Sequence, residues 1–121
     1  MRIAVGTDEH TPLVDDIVAV LEQDGHEVVT VADGEPWPDV GRDVGAAVAG
    51  GRADYGVVCC WTGTGVSMAA NKVDGVRAAL CTDAETARGA RRWNDANVLA
   101  LGLRLTSPEV AREMVRAFLD T

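Results

Sequence analysis

An uninterrupted apolar stretch, Tyr55–Cys60, leads directly into a turn of small residues and then into a short amphipathic segment. A strand without polar interruptions is typical of the centre of a parallel sheet, because helices cover both faces there. The turn contains Gly63 and Gly65, so this order predicts a strand–loop–helix unit with Cys60 at the strand's carboxyl end. Open α/β sheets bind ligands at that edge. The stretch therefore predicts both the centre of a sheet and its binding edge.

Strand-like segments alternate with helical patterns along the whole chain. The predicted strands cover residues 2–6, 27–31, 55–60, 76–80 and 97–101. Short, right-handed connections between such units imply a three-layer α/β/α sandwich, Rossmann-like, around a five-stranded parallel sheet. The 121 residues suit one domain, residues 1–121.

Local signals predict where several helices begin. Thr11 is expected to cap the first helix, with Pro12 at its first position, and Ser107 to cap the last. The run 82–85, Thr-Asp-Ala-Glu, reads as a capping box led by its threonine.

A loop over the binding edge is expected at residues 32–41, which contain two glycines and two prolines. The helix that follows is expected to be preceded by Asp39 or Gly41.

Composition narrows the class of partner. A net charge of −8 and a pI of about 4.5 disfavour nucleic acids and anionic membranes, although a local arginine cluster would still suit a small anionic ligand. The three cysteines have no metal-ligand spacing, and the adjacent Cys59 and Cys60 cannot form an ordinary disulfide with each other. These features predict no metal site and a reducing cytoplasmic location.

Cys60 is the candidate base. A thiol beside a helix N-terminus ionises more readily, and abstraction of a proton next to a carbonyl also needs donors aimed at the developing oxyanion. The loop offers such donors at Thr62, Gly63, Thr64 and Gly65. The alternative is a buried structural cysteine, which is also common at the end of a core strand. Strand alternation directs Cys59 to the opposite face, and we interpret Cys59 and Cys81 as packing residues.

Three more polar residues follow predicted strands at the same edge. Asp8 and His10 come after the first strand, and histidine suits the transfer of a ring hydroxyl proton near neutral pH. Arg104 comes after the fifth strand and is a candidate for binding an anion. A solvated loop residue is the alternative for His10.

Three tryptophans are unusual in a chain with only 4% aromatic residues, and Trp37, Trp61 and Trp93 are all expected in loops or at helix ends near the site. Indoles stack on sugars, so they could narrow the pocket and alter the substrate. Alternatively, they could cover a dimer interface.

Several motifs, in order along nearly the whole chain, resemble the ribose-5-phosphate isomerase B / galactose-6-phosphate isomerase family of sugar-phosphate isomerases. The longest is Cys60-x-Thr62-Gly63-x-Gly65-x-Ser67-x-Ala69-Ala70-Asn71-Lys72, and the others are Gly6-Thr7-Asp8, Arg77-Ala78-Ala79-Leu80-Cys81, Asn94-Asp95-Ala96-Asn97-Val98-Leu99 and Gly102-x-Arg104.

The resemblance implies cofactor-free interconversion of an aldose phosphate and a ketose phosphate through a cis-enediolate. It also implies a homodimer with active sites at the subunit interface. Cys60 falls on the family's base, and Thr62 with the amides of residues 63–65 on the groups that stabilise the enediolate. Asp8 falls on a residue that binds and opens the sugar ring. Asn94 matches a residue near the reacting carbons, and Arg104 a phosphate-side arginine.

The chain also departs from the family pattern. The usual Asp-His pair is Asp8-Glu9-His10, so His10 is shifted by one position, and Trp93 replaces the ring-opening histidine. Trp61 replaces a glycine, and Trp37 stands where the family often has tyrosine. These departures leave two alternatives: a non-catalytic domain that binds or senses a small molecule, and an isomerase of an unphosphorylated sugar.

Overall fold

Five parallel strands form a single sheet in a computed structural model that describes all residues, 1–121. The strands are β1 Arg2–Thr7, β2 Glu27–Asp33, β3 Tyr55–Cys60, β4 Ala78–Leu80 and β5 Val98–Gly102. Their order across the sheet is β2-β1-β3-β5-β4, which places β3 in the centre. The predicted five-stranded parallel sheet is confirmed, with the apolar Tyr55–Cys60 strand in the middle as expected.

Five helices cover the two faces of the sheet. They are α1 Pro12–Gln23, α2 Trp37–Ala49, α3 Thr64–Asn71, α4 Ala84–Asn94 and α5 Pro108–Asp120. One core cluster contains buried residues of α1, α4 and α5, and the other contains those of α2 and α3, so the architecture is the predicted three-layer sandwich. None of the helices combines the length and the apolar composition needed to cross a bilayer.

The two adjacent cysteines of β3 belong to opposite faces of the sheet. Cys59 packs in the core beneath α1, α4 and α5, whereas Cys60 packs in the core beneath α2 and α3. The predicted alternation is therefore confirmed, and it separates the two thiols although they are neighbours in sequence.

The predicted loop over residues 32–41 is wrong at both ends. β2 continues to Asp33, and α2 begins at Trp37, with Pro36 at the N-cap and Pro38 in the first turn. The backbone N–H groups of the first helical turn have no acceptor within the helix. Proline, which lacks an N–H, is therefore as compatible with a helix start as with a loop. This shift makes Trp37 the first residue of α2.

The helix caps agree with the sequence only in part. Pro12 is the first residue of α1, but the Thr11 hydroxyl makes no capping hydrogen bond and is buried without a partner. The cap of α4 is Asp83, whose carboxylate accepts the Thr86 N–H at 2.7 Å, so the expected threonine cap is wrong by one residue. Ser107 caps α5 as predicted, accepting the Val110 N–H at 3.2 Å.

The parallel sheet brings the carboxyl ends of β1, β3 and β5 to one edge. Thr7 pairs in register with Cys59, and Cys60 with Gly102. The backbone N–H of Asp8 donates to the Cys59 carbonyl at 3.3 Å. This register places Asp8 next to Cys60, on two strands that are far apart in sequence.

Arg91 fastens the end of α4 to the sheet and to α5. Its guanidinium lies 4.3 Å from the centre of the Tyr55 ring, and Phe118 packs edge-on against the same ring. The guanidinium also donates to the Tyr55 hydroxyl and, at 2.7 Å, to the Ala96 carbonyl. These contacts fix the corner between α4 and β5.

We expect Arg91→Met to lower the free energy of unfolding by about 2 kcal/mol, because the Ala96 carbonyl and the Tyr55 hydroxyl lose a charged donor. Urea denaturation followed by circular dichroism measures this difference. Arg92→Met is the matched control, since Arg92 is exposed, and it should change the free energy by no more than about 0.5 kcal/mol. Equal losses in both variants would contradict the role given to Arg91.

Candidate functional site

The turn after β3 holds a backbone donor against the Cys60 thiol. Gly63 is the N-cap of α3 and adopts a left-handed conformation with φ of 80°. Its N–H donates to the Cys60 Sγ at 3.2 Å. A side chain at this position would meet Leu80 Cδ1 at 2.5 Å and the Leu101 backbone at 2.8 Å, so only glycine fits. The local sequence therefore places the sulfur beneath the N-terminus of α3.

Cys60 lies at the wall of an open cavity of about 310 Å³, lined by the loop after β1, the start of α2 and the turn from β3 into α3. Its lining comprises seven residues: Asp8, Trp37, Cys60, Trp61, Thr62, Thr64 and Gly65. The Thr62 and Thr64 hydroxyls are 2.8 Å apart, and either one is able to donate to the other. The structure thus brings together a thiol, a carboxyl group, two hydroxyls and two indoles that the sequence singled out.

Asp8 is the only charged residue in this lining. Its Oδ1 is buried and makes no hydrogen bond within the protein. Burial, and next the nearby negative charge of Glu9, raise the pKa of the Asp8 carboxyl above its ordinary value. Because the Asp8 side chain lines the cavity, its carboxyl group is in position to contact a ligand hydroxyl.

The other two cysteines are in less reactive surroundings. Burial raises the pKa of the Cys59 thiol to about 12 and that of the Cys81 thiol to about 11. Neither lines the cavity, and all three cysteines are free. A thiol needs its thiolate form to act as a base or nucleophile, so burial disfavours Cys59 and Cys81 for such a role.

His10 is not in the cavity with Cys60. It lines a separate small cavity with Val14 and Val18 of α1, and both ring nitrogens face carboxylates. Nδ1 lies 3.0 Å from Asp33 Oδ1, and Nε2 lies 2.8 Å from Asp15 Oδ1. Hydrogen bonds to Asp33 and then to Asp15 raise the pKa of the His10 imidazole.

The sequence did not identify these two partners of His10. They come from β2 and α1, and no motif links a histidine to carboxylates 23 and 5 residues away. His10 therefore links the loop after β1 to the last residue of β2 and to α1.

Trp93 and Asn94 are at the end of α4 and do not line the Cys60 cavity. They line another surface depression with residues from the start of α4. The Trp93 side chain is 74% exposed. Of the three tryptophans, the structure brings only Trp37 and Trp61 to Cys60.

Arg104 reaches the cavity edge through its backbone. Its N–H donates to the Trp61 carbonyl at 3.0 Å, but its exposed side chain is not part of the cavity lining. No lysine or arginine lines the cavity. No group of three or more His, Cys, Asp or Glu side chains is arranged to hold a metal ion.

Comparison with known proteins identifies consistent relatives over almost the whole chain. The model of the ribose/galactose isomerase family matches residues 3–121. D-erythrulose-4-phosphate isomerase of Pectobacterium atrosepticum is 40% identical over 129 residues, covering 99% of this chain and 83% of the relative. Ribose-5-phosphate isomerase B of Escherichia coli is 40% identical over 124 residues, covering 98% of this chain and 83% of the relative.

Solved structures agree with these sequence relatives. Ribose-5-phosphate isomerase B of Clostridium thermocellum superposes with a TM-score of 0.92 at 40% identity, covering 100% of this chain and 85% of that one. Type B ribose 5-phosphate isomerase of Trypanosoma brucei superposes with a TM-score of 0.90 at 42% identity, covering 99% of this chain and 85% of that one.

We expect His10→Gln to destabilise the protein at about pH 5 and to have little effect at about pH 9. The raised pKa of His10 means that the folded state holds the proton more tightly. That stabilisation is complete below the ordinary histidine pKa of about 6.5 and disappears as the pH rises through the higher folded-state pKa. Thermal unfolding at both pH values measures the difference.

His26→Gln serves as the control, because the only hydrogen bond of the His26 ring is to the chain's amino terminus. An equal loss of stability in His10→Gln at both pH values would mean that the imidazole acts through packing and not through its charge.

Proposed function

The chain belongs to the ribose/galactose isomerase family, and we propose that it interconverts a small aldose phosphate and ketose phosphate through a cis-enediolate. The single observation that supports this most is the Cys60 thiol, which faces a cavity together with Asp8, Thr62 and Thr64. The proposed chemistry transfers a proton between neighbouring carbons and requires no cofactor.

Cys60 is the proposed base. Its thiolate takes the proton from the carbon next to the carbonyl, and the C–H electron pair becomes the carbon–carbon double bond of the enediolate. The carbonyl electron pair moves to oxygen, where the hydroxyls of Thr62 and Thr64 and the amides of residues 63–65 stabilise the negative charge. The proton of the enediolate hydroxyl passes to the former carbonyl oxygen, and the oxygen that loses it forms the new carbonyl. The electron pair of the carbon–carbon double bond takes the proton of the Cys60 thiol at the former carbonyl carbon, which regenerates the thiolate.

Asp8 is the proposed partner of the sugar ring. Its side chain lines the cavity beside Cys60, and its raised pKa favours exchange of a proton with a ring hydroxyl. His10 was expected to share this role. Because two carboxylates hold its ring in a different cavity, Asp8 is the better candidate for opening the ring.

The substrate proposed here is shorter than a hexose phosphate. Trp37 and Trp61 both line the cavity, and indole rings there leave less room and offer a flat face to the sugar carbons. Two relatives of equal identity are named for a four-carbon and a five-carbon sugar phosphate. A tetrose or pentose phosphate therefore fits the proposal best.

A second copy of the chain is proposed to complete the site. The family resemblance assigns Asn94 to the reacting carbons, but Asn94 does not line the cavity that contains Cys60 in the same chain. A two-fold dimer would bring Asn94 and Trp93 of one protomer to Cys60 of the other. Such a dimer would also cover the exposed Trp93 indole at the end of α4.

An unphosphorylated sugar is the second candidate substrate. The observation in its favour is the charge of the cavity: Asp8 is its only charged lining residue, and no cation is present to bind phosphate. In the phosphate version, Arg104 at the rim or a residue of the second copy supplies that cation. Competition by inorganic phosphate at millimolar concentration separates the two versions, because an uncharged substrate would be turned over undisturbed.

We further propose that residues 1–121 act as one domain in the cytoplasm. All five strands pair in the same sheet, which leaves no separate unit. The three free cysteines suit a reducing compartment.

We expect Cys60→Ala to lower kcat by about 10²- to 10⁴-fold, which is the usual loss when a general base is removed. The assay measures isomerisation of D-ribose 5-phosphate and D-erythrulose 4-phosphate. Cys81→Ala is the matched control, because Cys81 is also a buried free thiol but lies outside the cavity, and it should retain wild-type turnover.

Deuterium exchange at the substrate carbon next to the carbonyl distinguishes catalysis from simple binding. The wild-type protein in D₂O should label that carbon, and Cys60→Ala should not. Full activity in Cys60→Ala would overturn the assigned base. Thermal stabilisation by the sugar phosphate without any labelling would instead favour the non-catalytic binding domain.

Two inactive variants should complement each other if the sites lie between subunits. Cys60→Ala and Asn94→Ala, unfolded and refolded together in equal amounts, should recover about a quarter of wild-type activity. About half of the dimers would be mixed, and each mixed dimer would hold one intact site. Mixed dimers without activity, or a monomer in sedimentation experiments, would contradict the proposed interface.

A further inference from the structure

The Trp37 indole lies directly over Gly65 in the first turn of α3. A Cβ built on Gly65 would meet Trp37 Cδ2 at 2.8 Å, Cε3 at 2.9 Å and Cε2 at 3.3 Å. Two of these atoms are at the fusion of the two indole rings, so the contact is made by the middle of the ring system and not by its flexible tip. Nothing larger than glycine fits beneath this indole.

The backbone of α2 holds Trp37 in this place. One turn after Trp37, Gly41 packs against α3 so closely that a Cβ there would lie 2.7 Å from the Val66 carbonyl oxygen and 2.8 Å from the Ala70 nitrogen. Helices that meet backbone to backbone cannot slide without losing this contact. The start of α2 and the start of α3 are therefore fixed relative to each other.

The first turn of α3 carries the groups that face the cavity. Thr64 and Gly65 line it beside Cys60, and the preceding Gly63 donates its N–H to the Cys60 sulfur. Trp37 lines the same cavity and also an apolar groove with Met68 and Lys72 on the outer side of α3. The indole thus contacts this turn from the neighbouring helix α2.

We infer that Trp37 is a positioning residue: by covering Gly65, it holds the first turn of α3 at the distance from Cys60 that the reaction requires. This inference rests on the proposed function, because the positioned groups are those assigned to the enediolate. Trp37 then has a role in addition to forming part of the cavity wall. A wall that only contacts substrate affects KM, whereas a residue that sets the position of the oxyanion donors affects kcat.

A size swap between the two positions tests the inference. Gly65→Ala should lower kcat by about 10²-fold, since the new methyl group pushes the turn away from the indole by a fraction of an ångström to about 1 Å. Trp37→Leu makes room for that methyl group. The double variant should therefore show a kcat at least about tenfold higher than that of Gly65→Ala at saturating substrate, whatever loss of the sugar-contacting indole does to KM.

Gly45→Ala provides the matched control. Gly45 lies in α2, the helix that begins with Trp37. The nearest contact of a Cβ on Gly45 would be with Val73 at 3.1 Å, and not with Trp37. The variant Gly45→Ala/Trp37→Leu should be no more active than Gly45→Ala alone. The changes in unfolding temperature caused by the two substitutions should be additive. A rescue equal to that at position 65 would mean that Trp37→Leu merely loosens the packing of α2 on α3.

A readout without substrate keeps the inference separate from the proposed function. Iodoacetamide labelling of Cys60, followed by mass spectrometry, should be slower in Gly65→Ala, because displacement of the turn removes the Gly63 donor from the sulfur, and the double variant should regain the wild-type rate.

If no sugar phosphate is turned over by the wild-type protein but the labelling rates and unfolding temperatures show the rescue, the proposed function fails and the positioning role stands. If Gly65→Ala labels and turns over like wild type, the indole has simply moved aside into solvent, and the inference is overturned. The same conclusion follows if the double variant is no better than Gly65→Ala in either assay.

Discussion

The site depends on a close contact between two backbones at the end of β3. A Cβ on Gly63 would lie 2.8–2.9 Å from the backbone of Leu101 and Gly102, and a Cβ on Gly102 would lie 2.7 Å from the Thr62 carbonyl oxygen. A backbone hydrogen bond adds to this contact: the Leu103 N–H donates to the Cys60 carbonyl at 2.9 Å. No side chain separates the turn after β3 from the end of β5. The turn therefore folds back over the end of β3, and the N-terminus of α3 lies above the Cys60 sulfur.

The other residues of the cavity come from elements that are distant in sequence but adjacent in space. β1 lies beside β3 and delivers Asp8, while α2, packed on α3, delivers Trp37. His10 is two residues beyond Asp8, yet Asp33 and Asp15 hold it elsewhere. The cavity of the single chain therefore presents a thiol, hydroxyls and one partly buried carboxyl group, without a cation. This composition suits proton transfer better than it suits recognition of phosphate. In the proposed chemistry, the cation that binds phosphate comes from a second copy of the chain or from Arg104.

Several predictions from the sequence were confirmed because they depend on local pattern. The apolar run of β3, the alternation of Cys59 and Cys60, and the Ser107 cap all follow from spacing within a few residues. The same local reasoning was wrong at α2, since Pro36 and Pro38 are compatible with a loop and with a helix start, and only packing of α2 on α3 selects the helix. It was also wrong at the cap of α4, where two adjacent side chains are both able to cap and Asp83 does so.

By itself, the sequence determined the order of strands and helices, the family, and the position of Cys60 at the carboxyl end of the central strand, because periodicity and short motifs encode these directly. The tertiary structure alone decided which candidates meet. It brought Asp8 and Trp37 to Cys60, and it left His10, Trp93 and Asn94 outside the cavity. The physical reason is that parallel strand pairing and helix packing join residues across tens of positions, and no local pattern records the partners that a side chain finds there.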